Sequence, residues 1–171
     1  MGKVRGLAMV SLLAAACSVG RPAAVTAAEV ERVQCDGSTT RDSELRLLRS
    51  IKVLDVEPLY SFAHSSYMHG EERVVGAKLL IRPPAGTTAE TLTRILQCRN
   101  ARLLLGQGDV TAVPHDPYSL PNAWVNVEVT SQDGNFAVAL TAESFGDNLT
   151  VLDRAKTYAE DHVLASEGDR P

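Results

Sequence analysis

No uninterrupted apolar run in the 171 residues approaches the ~20 that a helix needs to cross a bilayer, which excludes a polytopic helical membrane protein. Cysteine is scarce, with three residues in all, so a disulfide-dense scaffold is excluded as well. Aromatic residues make up only 5% of the chain, Trp occurs once, and the 12 Gly follow no collagen-like period. GxGxxG, P-loop, HExxH, CxxC and GxSxG motifs are all missing, and with them the commonest nucleotide, metalloprotease, redox and hydrolase signatures. There is no basic run and no interleaving of basic with aromatic residues. What is present, 44% hydrophobic and 22% charged residues, suits one ordinary globular domain with tails.

The N-terminus has the layout of an export signal: Lys3 and Arg5, an apolar stretch from Leu7 to Ala16, then small residues. Two processing routes fit it. Val25-Thr26-Ala27 places small residues for a cut after Ala27, or one position on after Ala28, giving a signal peptide over 1–27. Alternatively, Leu13-Ala14-Ala15-Ala16-Cys17 resembles a bacterial lipoprotein signal over 1–16, with Cys17 lipidated as the new N-terminus, although Leu13 stands four residues before the Cys instead of three. Removing 1–27 takes away Lys3, Arg5 and Arg21, leaving 14 basic against 21 acidic residues, a net charge of −7. Such a body repels phosphate backbones, and nucleic acid is not an expected partner. The expected location is the periplasm, the outer membrane as a lipoprotein, or outside the cell, with membrane contact only through a lipid anchor.

Either route leaves Cys35 and Cys98, and two cysteines outside a reducing compartment point to one disulfide closing a separation of 63 residues. The competing reading is two unrelated thiols. Residues 18–40, rich in Ala, Ser, Thr and Gly with little periodicity, read as a linker, of which 28–40 would remain after cleavage. A single domain over 41–165 follows, with a disordered tail over 166–171.

Within that domain a short helix starts near Asp42, with Leu45, Leu48 and Ile51 on one face. Lys52 to Tyr60 alternates as a strand, for which Pro58 argues an edge position or an early end. Residues 61–72 read as a loop. Val75, Ala77, Leu79 and Ile81 then mark a second strand, ended by Pro83-Pro84. Thr87 and Glu90 have the spacing of a capping box for a helix that carries Leu92, Ile95 and Leu96 and stops at Gly106 and Gly108. Residues 107–122, with three prolines, suit no regular element. Val125, Val127 and Val129, then Asp133-Gly134, then Phe136, Val138 and Leu140 spell a hairpin. A last helix from about Asp147 is expected to bury Leu149, Leu152, Ala155 and Ala159. The order β-β-α-β-β-α predicts an α+β two-layer sandwich: a four-stranded, mainly antiparallel sheet with two helices on one face, a ferredoxin-like variant preceded by a short N-terminal helix.

Few residues suggest chemistry. Gly106-Gln107-Gly108 follows a helix instead of preceding one, so it reads as a helix stop and not as a phosphate loop. Asp55 and Glu57 share one strand face as an acidic edge. Asn148-Leu149-Thr150 matches a glycosylation sequon. Ser65 and Ser66 adjoin His64, but adjacent residues seldom align as nucleophile and base. His64, Met68 and His69 lie together in one polar loop, and Cys98 and His115 could approach them. Imidazole, thioether and thiolate suit a soft or borderline ion such as copper. No other cofactor is expected.

The segment VNVEVTSQDGNFAVALTAESFGDNLTVLDRAKTYA resembles the ββα end of BON domains of envelope proteins, without their glycine-valine signature. The β-α-β-β-α order is also similar to heavy-metal-associated domains, whose CxxC is missing. As a whole the chain looks like small exported bacterial proteins of unassigned function. The resemblance implies a fold and no catalytic residue. The expected function is therefore a non-catalytic envelope or secreted module, an accessory or scaffold that binds a protein or envelope component through its sheet face or edge. Trp124, Asn126 and Glu128 are its candidate interface, flanked by Thr130, Lys78 and Arg82. The alternative is a copper-binding or small-ligand-binding protein built on His64, Met68, His69 and His115.

Overall fold

Alternation and capping account for most of the elements observed. The computed structural model describes residues 22–35, 41–62, 72–109 and 111–167. In chain order they form α1 (Ala23–Gln34), α2 (Arg41–Ser50), β1 (Lys52–Phe62), β2 (Glu72–Arg82), α3 (Ala89–Leu104), β3 (Val125–Gln132), β4 (Asn135–Ala142) and α4 (Phe145–Glu167). The four strands make one antiparallel sheet in the order β1-β2-β4-β3. β1 is an edge, as Pro58 requires. β2 and β3 flank β4 and run parallel to each other, so α3 is the crossover between them.

Every second residue of the core stretch of β2, β3 and β4 enters a single apolar core: Ala77, Leu79 and Ile81, then Val125, Val127 and Val129, then Phe136, Val138 and Leu140; β1, whose register shifts between Val53 and Asp55, adds Val53 with Val56 packed beside it. Leu48 and Ile51, Leu92 and Leu96, and Val151, Ala155 and Tyr158 join it from α2 and its end, α3 and α4. The β3–β4 turn places Asp133 and Gly134 at φ 49° and 77°, the left-handed pair a tight hairpin demands. At Gly76 the constraint is a close approach, because a Cβ there would lie 1.9 Å from the Leu140 carbonyl oxygen.

Four local expectations need correction. The supposed linker over 18–40 contains α1, whose second half falls in 28–40. Its sequence, AAVTAAEVERVQ, is rich in strong helix formers, and its inward side is a short stripe of Ala23, Ala27 and Val30, of which only Ala27 is fully buried. It is held by the Cys35–Cys98 disulfide and by Arg102 of α3, whose Nε lies 3.4 Å from Glu31 Oε1 while its Nη1 donates to Glu44 of α2. A bridge closing a 63-residue separation contributes about 4 kcal/mol by chain entropy. The α3 cap is Thr88, not Thr87: Thr88 Oγ1 accepts from the Thr91 N–H at 3.2 Å, while the Thr87 N–H closes a turn onto Pro84 O at 3.1 Å. Leu149 is exposed, because α4 starts at Phe145, is capped by Ser144 (Asp147 N–H to Ser144 Oγ, 3.1 Å), and turns Asn148 inward instead. The Asn148 amide bonds both backbone groups of Ala142, at 2.7 and 3.0 Å, which buries the sequon asparagine. Finally, α4 runs through Glu167, into the expected tail, and residues 168–171 lie outside the described residues.

The segment after α3 is irregular as expected, yet Val113 and residues 116–120 within it are buried. Asp116, 2% exposed, accepts on Oδ2 from Arg99 Nε and Nη2 at 3.1 and 2.9 Å and from Ser119 Oγ at 3.1 Å, and on Oδ1 from the Tyr118 N–H at 2.9 Å. Arg154 of α4 donates to the carbonyls of Asp116 and Ser119, at 3.3 and 3.1 Å. The Tyr118 ring meets Tyr158 edge-on at 5.8 Å, and the Tyr158 hydroxyl donates to Leu48 O at 2.8 Å. Burial, more than the nearby Asp116 charge, pushes both phenols well above the usual tyrosine range.

Removing the Asp116 carboxylate leaves Arg99 buried without a counter-charge, so Asp116→Ala is expected to cost about 3–5 kcal/mol in urea unfolding. Replacing both partners, Arg99→Met with Asp116→Leu, is expected to cost less than Asp116→Ala alone. The Tyr118 hydroxyl has no hydrogen-bond partner among the described residues, whereas that of Tyr158 has one. Tyr118→Phe should therefore leave stability unchanged or raise it, and Tyr158→Phe should lower it by about 1 kcal/mol. Both folded-state pKa values are raised, so the unfolded chain gives up these protons first. Stability should then hold through neutral pH and fall above about pH 10, by about 1.4 kcal/mol per pH unit for each tyrosine, and each Phe variant should flatten that slope.

Candidate interaction surface

Residues that alternate with the core set line the other face of the sheet. Register places Glu57, Lys78, Ala139 and Glu128 in one row across all four strands, and Asp55, Leu80, Ala137 and Thr130 in the next. Asn126, Glu128 and Thr130 are exposed, as the alternation predicts, and Trp124 is half-buried just before β3. Lys78 Nζ lies 3.7 Å from Glu57 Oε2. A shallow crevice of about 70 Å³ between Asp55, Glu57, Lys78, Leu80 and Gln132 marks the middle of this face.

Both outer edges of the sheet have some of their backbone groups capped from within the chain. On β1 the Val56 N–H is taken by the Asp55 carboxylate at 2.8 Å, and Pro58, two residues on, has no N–H to offer. On β3 the closure comes from α3. Asn100 Nδ2 donates to Val125 O at 2.8 Å, Gln97 Nε2 donates to Val127 O at 3.0 Å, and Thr93 Oγ1 accepts from the Val129 N–H at 3.2 Å. Thr93, Gln97 and Asn100 stand at i, i+4 and i+7, one face of a helix, and this polar seam beside Leu92 and Leu96 is the signal by which sequence reading could have found them. Asp55 and Glu57 are thus an acidic edge with assigned partners.

Two open grooves lie beside the sheet. One, of about 550 Å³, runs between β1 and α4 along Val53, Leu54, Val56, Lys156, Ala159 and Glu160. The other, of about 530 Å³, lies between α1, α3 and β3 and is lined by Val33, Glu90, Arg94, Gln97 and Val129. Neither lining contains a histidine, cysteine or serine.

The expected metal site is not assembled by the described residues. His64, Met68 and His69 lie outside them, as do Ser65 and Ser66. His115 is exposed at a positive φ of 53° in the segment after α3. Cys98, 2% exposed, is bonded to Cys35 at 2.05 Å, so its thiolate is not available as a ligand. Among the described residues no group of three His, Cys, Asp or Glu side chains is placed to hold an ion. Gly106, at φ 71°, ends α3 as a helix stop should, with the Gln107 N–H returning to Arg102 O at 2.8 Å. Cys17, the lipidation candidate, also lies outside the described residues. The disulfide fits a non-reducing environment, and no described helix is long and apolar enough to cross a membrane. No protein-family model, curated protein or solved structure matches the chain.

Opening the β1 edge tests its closure. Asp55→Ser with Pro58→Thr restores two outward N–H groups and should raise concentration-dependent self-association in sedimentation runs relative to the wild type. Unchanged association would show that something other than these two residues closes the edge.

Proposed function

We propose that this chain is a non-catalytic exported module that binds a protein or other envelope component through the open face of its sheet, around Asn126, Glu128 and Thr130. The observation that carries this reading is where the polar groups go. Arg99 with Asp116 and Arg102 with Glu31 and Glu44 are engaged inside the fold, three backbone groups on the β3 edge bond to α3, and on the β1 edge the Val56 N–H is taken and Pro58 has none. Strand addition, one of the two docking modes expected from sequence, is thereby disfavoured, and the face remains. The disulfide supports export, and the net charge of −7 after loss of 1–27 argues against a nucleic-acid partner.

The architecture belongs to the same proposal. Moving β1 to the end of the chain would turn β-β-α-β-β-α into β-α-β-β-α-β with the same neighbours, so β1 takes the place of the last strand in a ferredoxin-like two-layer sandwich, α3 and α4 covering the core face. The resemblance of the ββα end to BON domains is compatible with this arrangement.

A photo-crosslinking residue placed at Asn126 or Glu128, in cells that export the chain, should yield a discrete adduct. The same residue at the exposed Arg49 of α2 should not. No adduct from either face position, or equal adducts from Arg49, would overturn the proposal.

A further inference from the structure

We propose that the cleft where the sheet splits, between the start of β2 and the end of β4, binds a small monocarboxylate with a short apolar body, the carboxylate held by Arg73. The proposal depends neither on export nor on docking at the open face of the sheet.

The split follows from register. β2 and β4 pair from Ile81↔Phe136 to Ala77↔Leu140 and no further. Between β1 and β2, Leu59 pairs with Gly76 and Tyr60 with Val74, which leaves Val75 as the extra residue of a bulge. A bulge bends its strand and re-aims the side chains around it, and bulges gather beside functional sites. Gly76 permits one last close approach, at the Leu140 carbonyl, before the strands part. On the β4 side the Asn148 amide bonds both backbone groups of Ala142, the residue that would continue the ladder toward β2. The two strands are thus kept apart by a bulge on one side and a side-chain clasp on the other. Between them lies a cavity of about 390 Å³, lined by Ser61, Arg73, Val75, Thr141, Glu143 and Phe145 among others. That volume suits a small ligand.

The lining names the ligand's chemistry. The Arg73 guanidinium carbon lies 4.4 Å from the centroid of the Phe145 ring, itself 42% exposed. Stacking engages one face of the guanidinium, while its five N–H donors lie in the plane and stay unspent. Among the described residues Arg73 has no ion pair and no hydrogen bond, and the Ser61 and Thr141 hydroxyls have no partner. A guanidinium fork matches a carboxylate with two parallel bonds. Holding Arg73 against Phe145 beforehand also lowers the ordering cost of binding. Val74, Val75 and the Phe145 ring offer apolar surface to the rest of the ligand. Glu143, in the same lining, repels a second negative charge, which selects a monocarboxylate over phosphate.

The test titrates the isotope-labelled full chain with acetate and butyrate, and in parallel with butanol and inorganic phosphate, reading amide chemical shifts. Butyrate should shift the amides of Val74, Val75, Thr141 and Phe145 saturably, and butanol and phosphate should not. Affinity should rise from acetate to butyrate, and Phe145→Ala should reduce that rise. Arg73→Gln should weaken butyrate binding about tenfold or more, because the lost bonds are charge-assisted. Arg73→Lys, which keeps the charge without the fork, should weaken it less, and Arg49→Gln on α2 should leave it unchanged. Arg73 and Arg49 are exposed, so none of these arginine variants disturbs the core. The proposal fails if butyrate shifts no cleft amide, if binding survives intact in Arg73→Gln, or if phosphate binds as tightly as butyrate.

Discussion

The Asp116 carboxylate is the constraint on which the rest of the fold depends. It sits in a segment with no helix or strand, yet it is buried and accepts four hydrogen bonds, two of them from the Arg99 guanidinium. Placing a carboxylate and a guanidinium out of water costs several kcal/mol per ion, and only a full set of partners offsets that cost. Here the set is nearly complete: Tyr118 and Ser119 donate from the same segment and Arg99 from α3. Arg99 ties the segment to α3, and Arg154 ties the backbone of the same segment to α4. Tyr118 carries the connection on to Tyr158, whose hydroxyl reaches the end of α2 at Leu48. One anion therefore organises three helices around a stretch of chain that has no regular hydrogen bonding of its own.

Polar side chains do comparable work at the margins of the sheet. The seam of Thr93, Gln97 and Asn100 gives three backbone groups on the outer edge of β3 a partner within the chain. On β1 a bond between neighbouring residues and a proline remove two outward N–H groups. An exposed edge is the usual route to unwanted association, and these devices blunt both edges. α1 is secured differently again. Its inward stripe is short and made largely of alanine, and covalent and ionic links to α3 supplement it.

Much of this was legible in advance. The strands could be read from alternation, the hairpin from Asp133-Gly134, the edge position of β1 from Pro58, and the Cys35–Cys98 bridge from cysteine parity. Each is a local or combinatorial signal. α1 escaped because its inward face, Ala23, Ala27 and Val30, is short, and the exposed Ala24, Val25 and Ala28 beside it remove the contrast that periodicity detects. The shift from Thr87 to Thr88 and the exposure of Leu149 share one cause: two candidate caps or helix starts stood within two residues of each other, and a neighbouring turn or an inward-facing Asn148 decided between them. At the candidate surface, Asn126, Glu128 and Thr130 were readable as the outward set of β3, but the polar seam of α3 was not weighed, since nothing in its spacing names the strand it serves.

By itself, then, the sequence determined the periods of burial along each strand, the turns that reverse them and the α+β class, because these depend on residues within a few positions of one another. The tertiary structure alone decided that residues 116–120 of an irregular, proline-rich segment would be buried, that Asp116 would answer Arg99 across 17 residues, and that Tyr158 would reach Leu48 across 110. Such pairings arise from the desolvation cost of groups that meet only once the chain has closed, and no local pattern records which distant partner will cancel it.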